Sequence, residues 1–135
     1  MHSLLKTCDA ISCSKLENDN RILPRPRTAF YSMDRIATLN EILVQNPNDA
    51  FARYGLALEY SNQGNTETAL SEFKKLLSVH PDYTAGYFMA AQTLAKADRN
   101  DEARNMLADG IASAKRTGNA HAQSEMEGML AELGA

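Results

Sequence analysis

The sequence predicts an all-α fold in which antiparallel helical hairpins stack on one another. Two stretches of equal length, 50–83 and 84–117, place small and apolar residues at the same internal positions. A fixed period of about 34 residues is typical of repeats whose helical hairpins cover each other's apolar faces. Within each stretch the apolar residues follow the helical period, and in the first stretch glycine and proline fall where a helix should end.

The first half of each stretch predicts one helix. Leu56 and Tyr60 are one helical turn apart, so they share one face of a helix. Ala90 and Leu94 have the same spacing in the second stretch. Gly64 follows the first of these helices, where the left-handed backbone of a helix end costs other residues about 1 kcal/mol or more. Gly64 therefore marks the turn of the first hairpin.

The second half of the first stretch predicts the returning helix of that hairpin. Ala69 is small, which suits a position where two helices cross closely. Phe73 and Leu76 continue the apolar stripe along the same face of the helix. Pro81 disfavours a helical backbone at His80, so we expect the helix to end there.

The second stretch keeps the apolar positions but changes the ends of its helices. Asp98 stands where the first stretch has glycine, and aspartate tolerates the left-handed conformation better than most residues. Lys115 stands where the first stretch has Pro81, so nothing stops the returning helix at that point. We expect this helix to continue to Arg116 and to end before Gly118.

Helical patterns flank the two stretches on both sides and complete a domain over residues 33–135. Residues 33–47 predict a half repeat, a single returning helix behind a cap at Asp34. Residues 119–134 predict a capping helix with a polar back, which a short stack needs to cover its last open face. The apolar stripe of the half repeat is Ile36, Leu39, Ile42 and Leu43, and that of the capping helix is Ala122, Met126, Met129, Leu130 and Leu133.

Residues 1–32 predict a flexible N-terminal extension. They show no sustained helical period, and Pro24 and Pro26 lie among arginines. Two alternatives stay open. One is a secretory signal peptide, which Lys6 disfavours by interrupting the first apolar residues. The other is that the working protein begins at Met33, directly before the helical pattern.

Together these positions resemble the tetratricopeptide repeat (TPR) family. The resemblance implies a short right-handed solenoid of antiparallel helix pairs whose first helices line a concave groove. It also implies a protein-protein interaction module that binds a peptide or a helix of a partner protein in that groove. The residues that carry the resemblance are Leu56, Tyr60, Gly64, Ala69, Phe73 and Pro81 in the first repeat, and Ala90, Leu94, Ala103 and Leu107 in the second.

The resemblance also assigns the side chains of the groove. Its centre would be apolar and aromatic, and large buried aromatic residues often carry most of the energy of a protein interface. Two alternatives stay open: neighbouring helices of the same chain cover the aromatic residues, or the domain self-assembles as a homodimer with the groove filled by another copy. The partner-binding residues, called the groove residues below, are Phe51, Tyr54, Leu58, Asn62, Phe88, Gln92 and Lys96.

Composition and charge narrow the functional classes. The chain has 135 residues, of which 44% are hydrophobic and 23% charged, as expected of a single domain with a modest core. Residues 1–32 hold five basic and three acidic residues, whereas the remainder holds nine basic and fourteen acidic, a net charge of −5. An acidic repeat body disfavours nucleic acid as a partner. No run of about 18 apolar residues predicts a membrane span, and we expect a cytoplasmic protein.

The sequence predicts no catalytic, metal or cofactor site. His80 and His121 lack a nucleophile or carboxylate at a spacing that would force catalytic contact, and there is no glycine-rich phosphate loop. Cys8 and Cys13 offer two thiols where structural zinc needs four ligands. A disulfide or redox pair between them stays an alternative. We therefore expect a protein that is not an enzyme.

Overall fold

The computed structural model describes the backbone of residues 24–134 and the side chains of residues 33–134. Within this part of the chain the structure consists of α-helices joined by short connections, as the sequence predicts. The helices are α1 Pro24–Gln45, α2 Ala50–Asn62, α3 Thr66–Val79, α4 Thr84–Lys96, α5 Asn100–Thr117 and α6 Ala120–Gly134.

The chain divides into two compact units, residues 1–35 and 36–135. Of the first unit the structure describes the N-terminal part of α1. This helix begins at Pro24 rather than at the expected Met33, because prolines fit the first turn, where backbone N–H groups have no partner within the helix.

The earlier start of α1 changes two expectations. Asp34 lies inside the helix and is therefore not its cap. The helix is continuous through Met33, so that methionine does not mark the beginning of an element. The expectations for residues 1–23, including both cysteines, lie outside the described residues. The division into an extension over residues 1–32 and a domain over residues 33–135 stays a prediction.

The second unit is a helical repeat solenoid built from two hairpins and two flanking helices. α2 packs against α3, α4 against α5, and α6 against α5. The C-terminal part of α1 packs against α2, where a Cβ added to Gly55 would lie 3.3 Å from Cδ2 of Leu39. Residues 36–45 therefore lie against the first hairpin, and the half repeat over residues 33–47 stays a prediction.

Three residues in the left-handed conformation form the turns after α2, α4 and α5. The φ angles are +79° at Gly64, +62° at Asp98 and +69° at Gly118. The structure thus confirms all three predicted helix ends, including the aspartate in the place of a glycine. α5 ends at Thr117, one position beyond the expected end.

Fully buried small residues allow the helices of the solenoid to approach closely. Ala69 and Ala103, which occupy equivalent positions of the two repeats, have no exposed surface, and both belong to a core cluster with Phe73. A second core cluster joins α4, α5 and α6 and includes Leu107 and Met126. The predicted stripes of the two repeats are therefore the core of the molecule.

Equivalent positions of the two repeats make the same contact with different side chains. Arg53 donates a hydrogen bond of 2.7 Å from Nη2 to the carbonyl of Pro47. Tyr87, at the same position of the second repeat, donates one of 2.9 Å from its hydroxyl to the carbonyl of Pro81. Both contacts fix the connection that precedes the first helix of a repeat, so the two repeats share this geometry although the residue types differ.

The core packing predicts that Ala69→Glu will unfold the domain. Leaving a buried charge unpaired costs roughly 3–5 kcal/mol, a large share of the stability of a small domain. Ser71→Glu, at an exposed position of the same helix, is the matched control and should leave the fold intact. Circular dichroism during thermal unfolding measures both variants. Equal melting temperatures for the two would contradict the packing described for Ala69.

Two glycines inside helices should respond to alanine with opposite signs. A Cβ added to Gly110 would lie 2.7 Å from Cβ of Tyr87 and 2.6 Å from Sδ of Met126, whereas one added to Gly128 meets nothing within 4 Å. We expect Gly110→Ala to lose about 1–3 kcal/mol of stability through overpacking. Gly128→Ala should gain up to about 1 kcal/mol from helix propensity. Urea unfolding of both variants tests this, and a stabilised Gly110→Ala would contradict the close packing of α4, α5 and α6.

Candidate functional site

The first helices of successive repeats lie side by side and form the candidate site. α2 contacts α4, and α4 contacts α6. The hydroxyl of Thr93 donates a hydrogen bond of 2.8 Å to the carbonyl of Met89. The 2.9 Å hydrogen bond that joins α2 to α4 is therefore donated by the hydroxyl of Ser61 and accepted by that of Thr93. These three helices are called the inner helices below.

Phe51 is the most exposed of the groove residues that carry a large apolar side chain. It is the second residue of α2, and 76% of its surface is accessible. The alternative that neighbouring helices cover this ring is therefore wrong for Phe51. Asn62 and Lys96 are also exposed and lie at the C-terminal ends of α2 and α4, where they form a polar end to the apolar surface.

Tyr54 and Leu58 are partly buried because they take part in the packing of the first hairpin. The centre of the Tyr54 ring lies 6.3 Å from that of Phe73 in an edge-to-face arrangement and 5.3 Å from that of Tyr83. Burial, together with the nearby Tyr83, raises the pKa of Tyr54 above its ordinary value. Leu58 packs against the core cluster that contains Phe73. Both residues therefore offer only part of their surface to a partner.

Phe88 and Gln92 lie one turn apart on α4 and are also partly buried. Phe88 packs against the core cluster that contains Met126 of α6. Intramolecular cover therefore applies to Phe88 in part, in contrast to Phe51. The groove residues thus occupy α2 and α4 as expected, but they differ in how far the fold already uses them.

The inner surface of α6 was not predicted from the sequence. Leu56, Ala90 and Met126 are all buried, and each occupies the seventh position of its helix. α6 therefore occupies the position of a third inner helix as well as capping the stack. Its exposed positions that correspond to Phe51, Tyr54, Leu58, Ser61 and Asn62 are His121, Ser124, Gly128, Ala131 and Glu132, called the α6 face below.

The inner positions of α6 do not fall on the 34-residue period of the two repeats, because α6 begins later than that period predicts. α2 and α4 begin one repeat apart, at Ala50 and Thr84, but α6 begins at Ala120, two positions later than the same period would place it. α5 has 18 residues whereas α3 has 14, and the connection after α5 has two residues whereas that after α3 has four, which leaves a shift of two positions.

A signal for the correct register was nevertheless present in the sequence. The Asn119 side chain accepts a hydrogen bond of 3.1 Å from the N–H of Ala122, as the Asp49 side chain does from Ala52 at the start of α2. Aligning these two helix caps, rather than counting a fixed period, places the inner positions of α6 correctly.

His80 and His121, the histidines of the described residues, each lie near a neighbouring oxygen atom. Nε2 of His80 lies 2.7 Å from the carbonyl oxygen of Asn48, in the connection of the preceding repeat. Nε2 of His121 lies 3.5 Å from a carboxylate oxygen of Glu125. Among the side chains of residues 33–134, no group of three or more ligand residues could hold a metal ion. No helix in the described part of the chain is both long and apolar enough to cross a bilayer.

Stacked hairpins with a partly exposed row of inner helices define a helical repeat solenoid, a fold that serves as a protein-interaction module. The chain belongs to the tetratricopeptide repeat family, since family models described as tetratricopeptide repeat match residues 38–71 and 60–125. This family and its fold are typically non-catalytic.

Known proteins and structures agree with this membership. The TPR repeat-containing protein PA0015 of Pseudomonas aeruginosa is 28% identical over 98 residues, which span 73% of this chain and 93% of that protein. A crystal structure of a tetratricopeptide repeat domain protein from Salinibacter ruber has 31% identity and a TM-score of 0.60, covering 64% of this chain and 98% of that one. PcrH, with 17% identity and a TM-score of 0.71 over 89% of this chain and 91% of its own, is similar in fold alone.

The different burial of the aromatic residues predicts a graded response to truncation. Phe51→Ala should change the free energy of unfolding by less than about 0.5 kcal/mol, as at an exposed site. Phe73→Ala, at a fully buried position, should cost about 3–5 kcal/mol, and Phe88→Ala should fall between the two and stay folded. Chemical unfolding of the three variants gives the comparison. If Phe88→Ala costs as much as Phe73→Ala, Phe88 belongs to the core and not to a binding surface.

Proposed function

We propose that this protein binds a peptide or a helix of a partner protein on the groove residues. The observation that carries the proposal is the exposure of Phe51, a large aromatic ring on an inner helix that packing leaves accessible. Apolar side chains next to one another on a folded surface are typical of interaction sites. Phe51 would be the main anchor, since its burial by a partner removes the most apolar surface from water.

The remaining groove residues would have supporting roles. Leu58 and Phe88 would form the walls of the binding surface, because the fold already holds them in place and only part of each is accessible. The amide of Gln92 can donate and accept hydrogen bonds beside these apolar side chains. Asn62 and Lys96 would contact polar groups of the partner at the ends of the inner helices. A surface of this kind suits a partner with regularly spaced apolar side chains.

A solved structure of similar fold supports a protein as the partner. The structure of PcrH was solved in complex with the chaperone binding region of PopD. The likeness of this chain to PcrH is one of fold, and it indicates that a solenoid of this architecture accommodates a segment of another protein. The partner of this chain is left open by that likeness.

The alternative function is self-assembly, with the groove of one copy filled by another. A symmetric dimer that joined the inner helices would bring identical surfaces together. α6 carries Glu125, Glu127 and Glu132, so an arrangement that placed α6 of one copy against α6 of the other would bring like charges together. This repulsion disfavours dimers that pair α6 with α6.

Selection from a library of displayed peptides tests the proposed function. Peptides selected on the full-length protein should bind Phe51→Ala about tenfold more weakly, as expected for the loss of a central aromatic anchor. Val79→Ala, which truncates an exposed apolar residue of α3, is the matched control and should bind them unchanged. Fluorescence anisotropy gives both dissociation constants. Peptides that bind Phe51→Ala as well as the unmodified protein would contradict the proposal.

Light scattering of the full chain over a range of concentrations separates the two functions. The proposal predicts a monomer at all concentrations. A dimer that dissociates on dilution, and that Phe51→Ala weakens, would instead establish self-assembly through the inner helices.

A further inference from the structure

We propose that the groove accepts a basic amphipathic helix, with its apolar side on Phe51 and Phe88 and its lysine or arginine side chains along α6. This inference rests on the proposed function, because it assigns a chemical class to the partner of the same surface. Three properties of the inner helices lead to it: the apolar surface of α2 and α4, the small residues of the α6 face, and the charge of α6.

The apolar surface favours a partner that satisfies its own backbone hydrogen bonds. Around Phe51 and Leu58 the inner helices offer mainly carbon atoms, and the hydroxyl of Ser61 already bonds to Thr93. Gln92, Asn62 and Lys96 could pair with only some of the N–H and C=O groups that an extended peptide would place against this surface, and each buried unpaired group is costly. A helix pairs these groups internally, so its side chains alone contact the groove.

The α6 face leaves room for a helix to approach. Ser124, Gly128 and Ala131 are exposed and small, and a Cβ added to Gly128 would meet no atom within 4 Å. The distance between packed helix axes falls to about 8 Å where the side chains at the contact are small. A partner helix can therefore lie close to α6 while its larger apolar side chains extend towards α2 and α4.

The charge of α6 favours a basic partner. Glu125, Glu127 and Glu132 are exposed, and the sequence contains no lysine or arginine after residue 117. Their described contacts are a histidine at 3.5 Å for Glu125 and the side-chain amide of Gln123 at 2.8 Å for Glu127. Among the described side chains no lysine or arginine forms an ion pair with any of the three.

Some acidic residues elsewhere in the solenoid are paired with cations. Glu72 accepts from both Arg53 and Lys75 at 2.7 Å, and Asp82 pairs with Arg116 at 3.0 Å. Glu132 occupies the position of α6 that corresponds to Lys96, and Glu125 lies one turn from His121 of the α6 face. Glu127 corresponds to the buried Ala57 and Ala91 and does not belong to the groove. Lys96 therefore balances at most one of the two glutamates beside the groove. The C-terminal side of the groove therefore keeps a negative charge that a basic helix would neutralise.

Synthetic helical peptides of about 18 residues, or five turns, test this inference with the full-length protein. The first peptide combines leucine and lysine on opposite faces, the second replaces lysine by glutamate, and the third keeps the lysines but replaces leucine by alanine. We expect saturable one-to-one binding of the first peptide only, measured by fluorescence anisotropy. Its affinity should fall as salt is raised, because exposed charge pairs are screened.

Variants of the protein locate the contact. Glu125→Gln combined with Glu132→Gln should weaken binding of the leucine-lysine peptide about fivefold, as expected for two exposed charge pairs. Glu41→Gln combined with Asp109→Asn removes the same charge from exposed positions of α1 and α5 and should change it less than about twofold. Phe51→Ala should weaken the same binding about tenfold.

The possible outcomes separate this inference from the proposed function. If the acidic peptide binds as well as the basic one and Phe51→Ala weakens both, the groove is a docking site but the basic class is wrong. If both pairs of charge substitutions weaken binding equally, the attraction is non-specific and the inference fails. If none of the three peptides binds, or if Phe51→Ala leaves binding unchanged, a basic helix does not occupy the groove.

Discussion

The structure depends on close contact between helices at residues that have little or no side chain. A single hairpin of this sequence has apolar residues on both of its broad faces, so it cannot bury them alone and must stack on a neighbour. Ala69 and Ala103 allow this at equivalent points of the two repeats, and Gly110 allows Tyr87 and Met126 to pack against the backbone of α5. Both repeats therefore place a buried small residue at the same internal position.

This packing also decides which side chains remain for function. The apolar stripes that contain Phe73 and Leu107 are buried in the core. On the inner helices, only the side chains that point away from the core are available to a partner. Phe51, in the first turn of α2, is left exposed, whereas Phe88 is partly held by the cluster around Met126. The two ends of the inner surface therefore differ. The α2 side is large and apolar, and the α6 side is small and acidic.

The sequence predicted the parts of the fold that single residues determine. Gly64, Asp98 and Gly118 form the turns because few residues tolerate a positive φ angle. The expected start of α1 at Met33 was wrong, since the segment before it has no apolar period and its prolines are compatible with a first turn as well as with a loop. The register of α6 was missed because the longer α5 and the shorter connection after it shift it by two positions. For the groove, helical offsets predicted which residues share a face of each helix, but they carried no information about which neighbour, such as Tyr83 or Met126, covers that face.

The proposed binding of a partner helix places it on the accessible surface of α2, α4 and α6. A map of backbone amide chemical shifts in the isotope-labelled full chain, recorded as the leucine-lysine peptide is added, tests this placement. The largest changes should fall on the inner helices, around Phe51 and Glu132. Changes concentrated on α3 and α5, for example around Lys74 and Asp109, would show that the peptide binds the opposite side of the hairpins and would contradict the proposed binding surface.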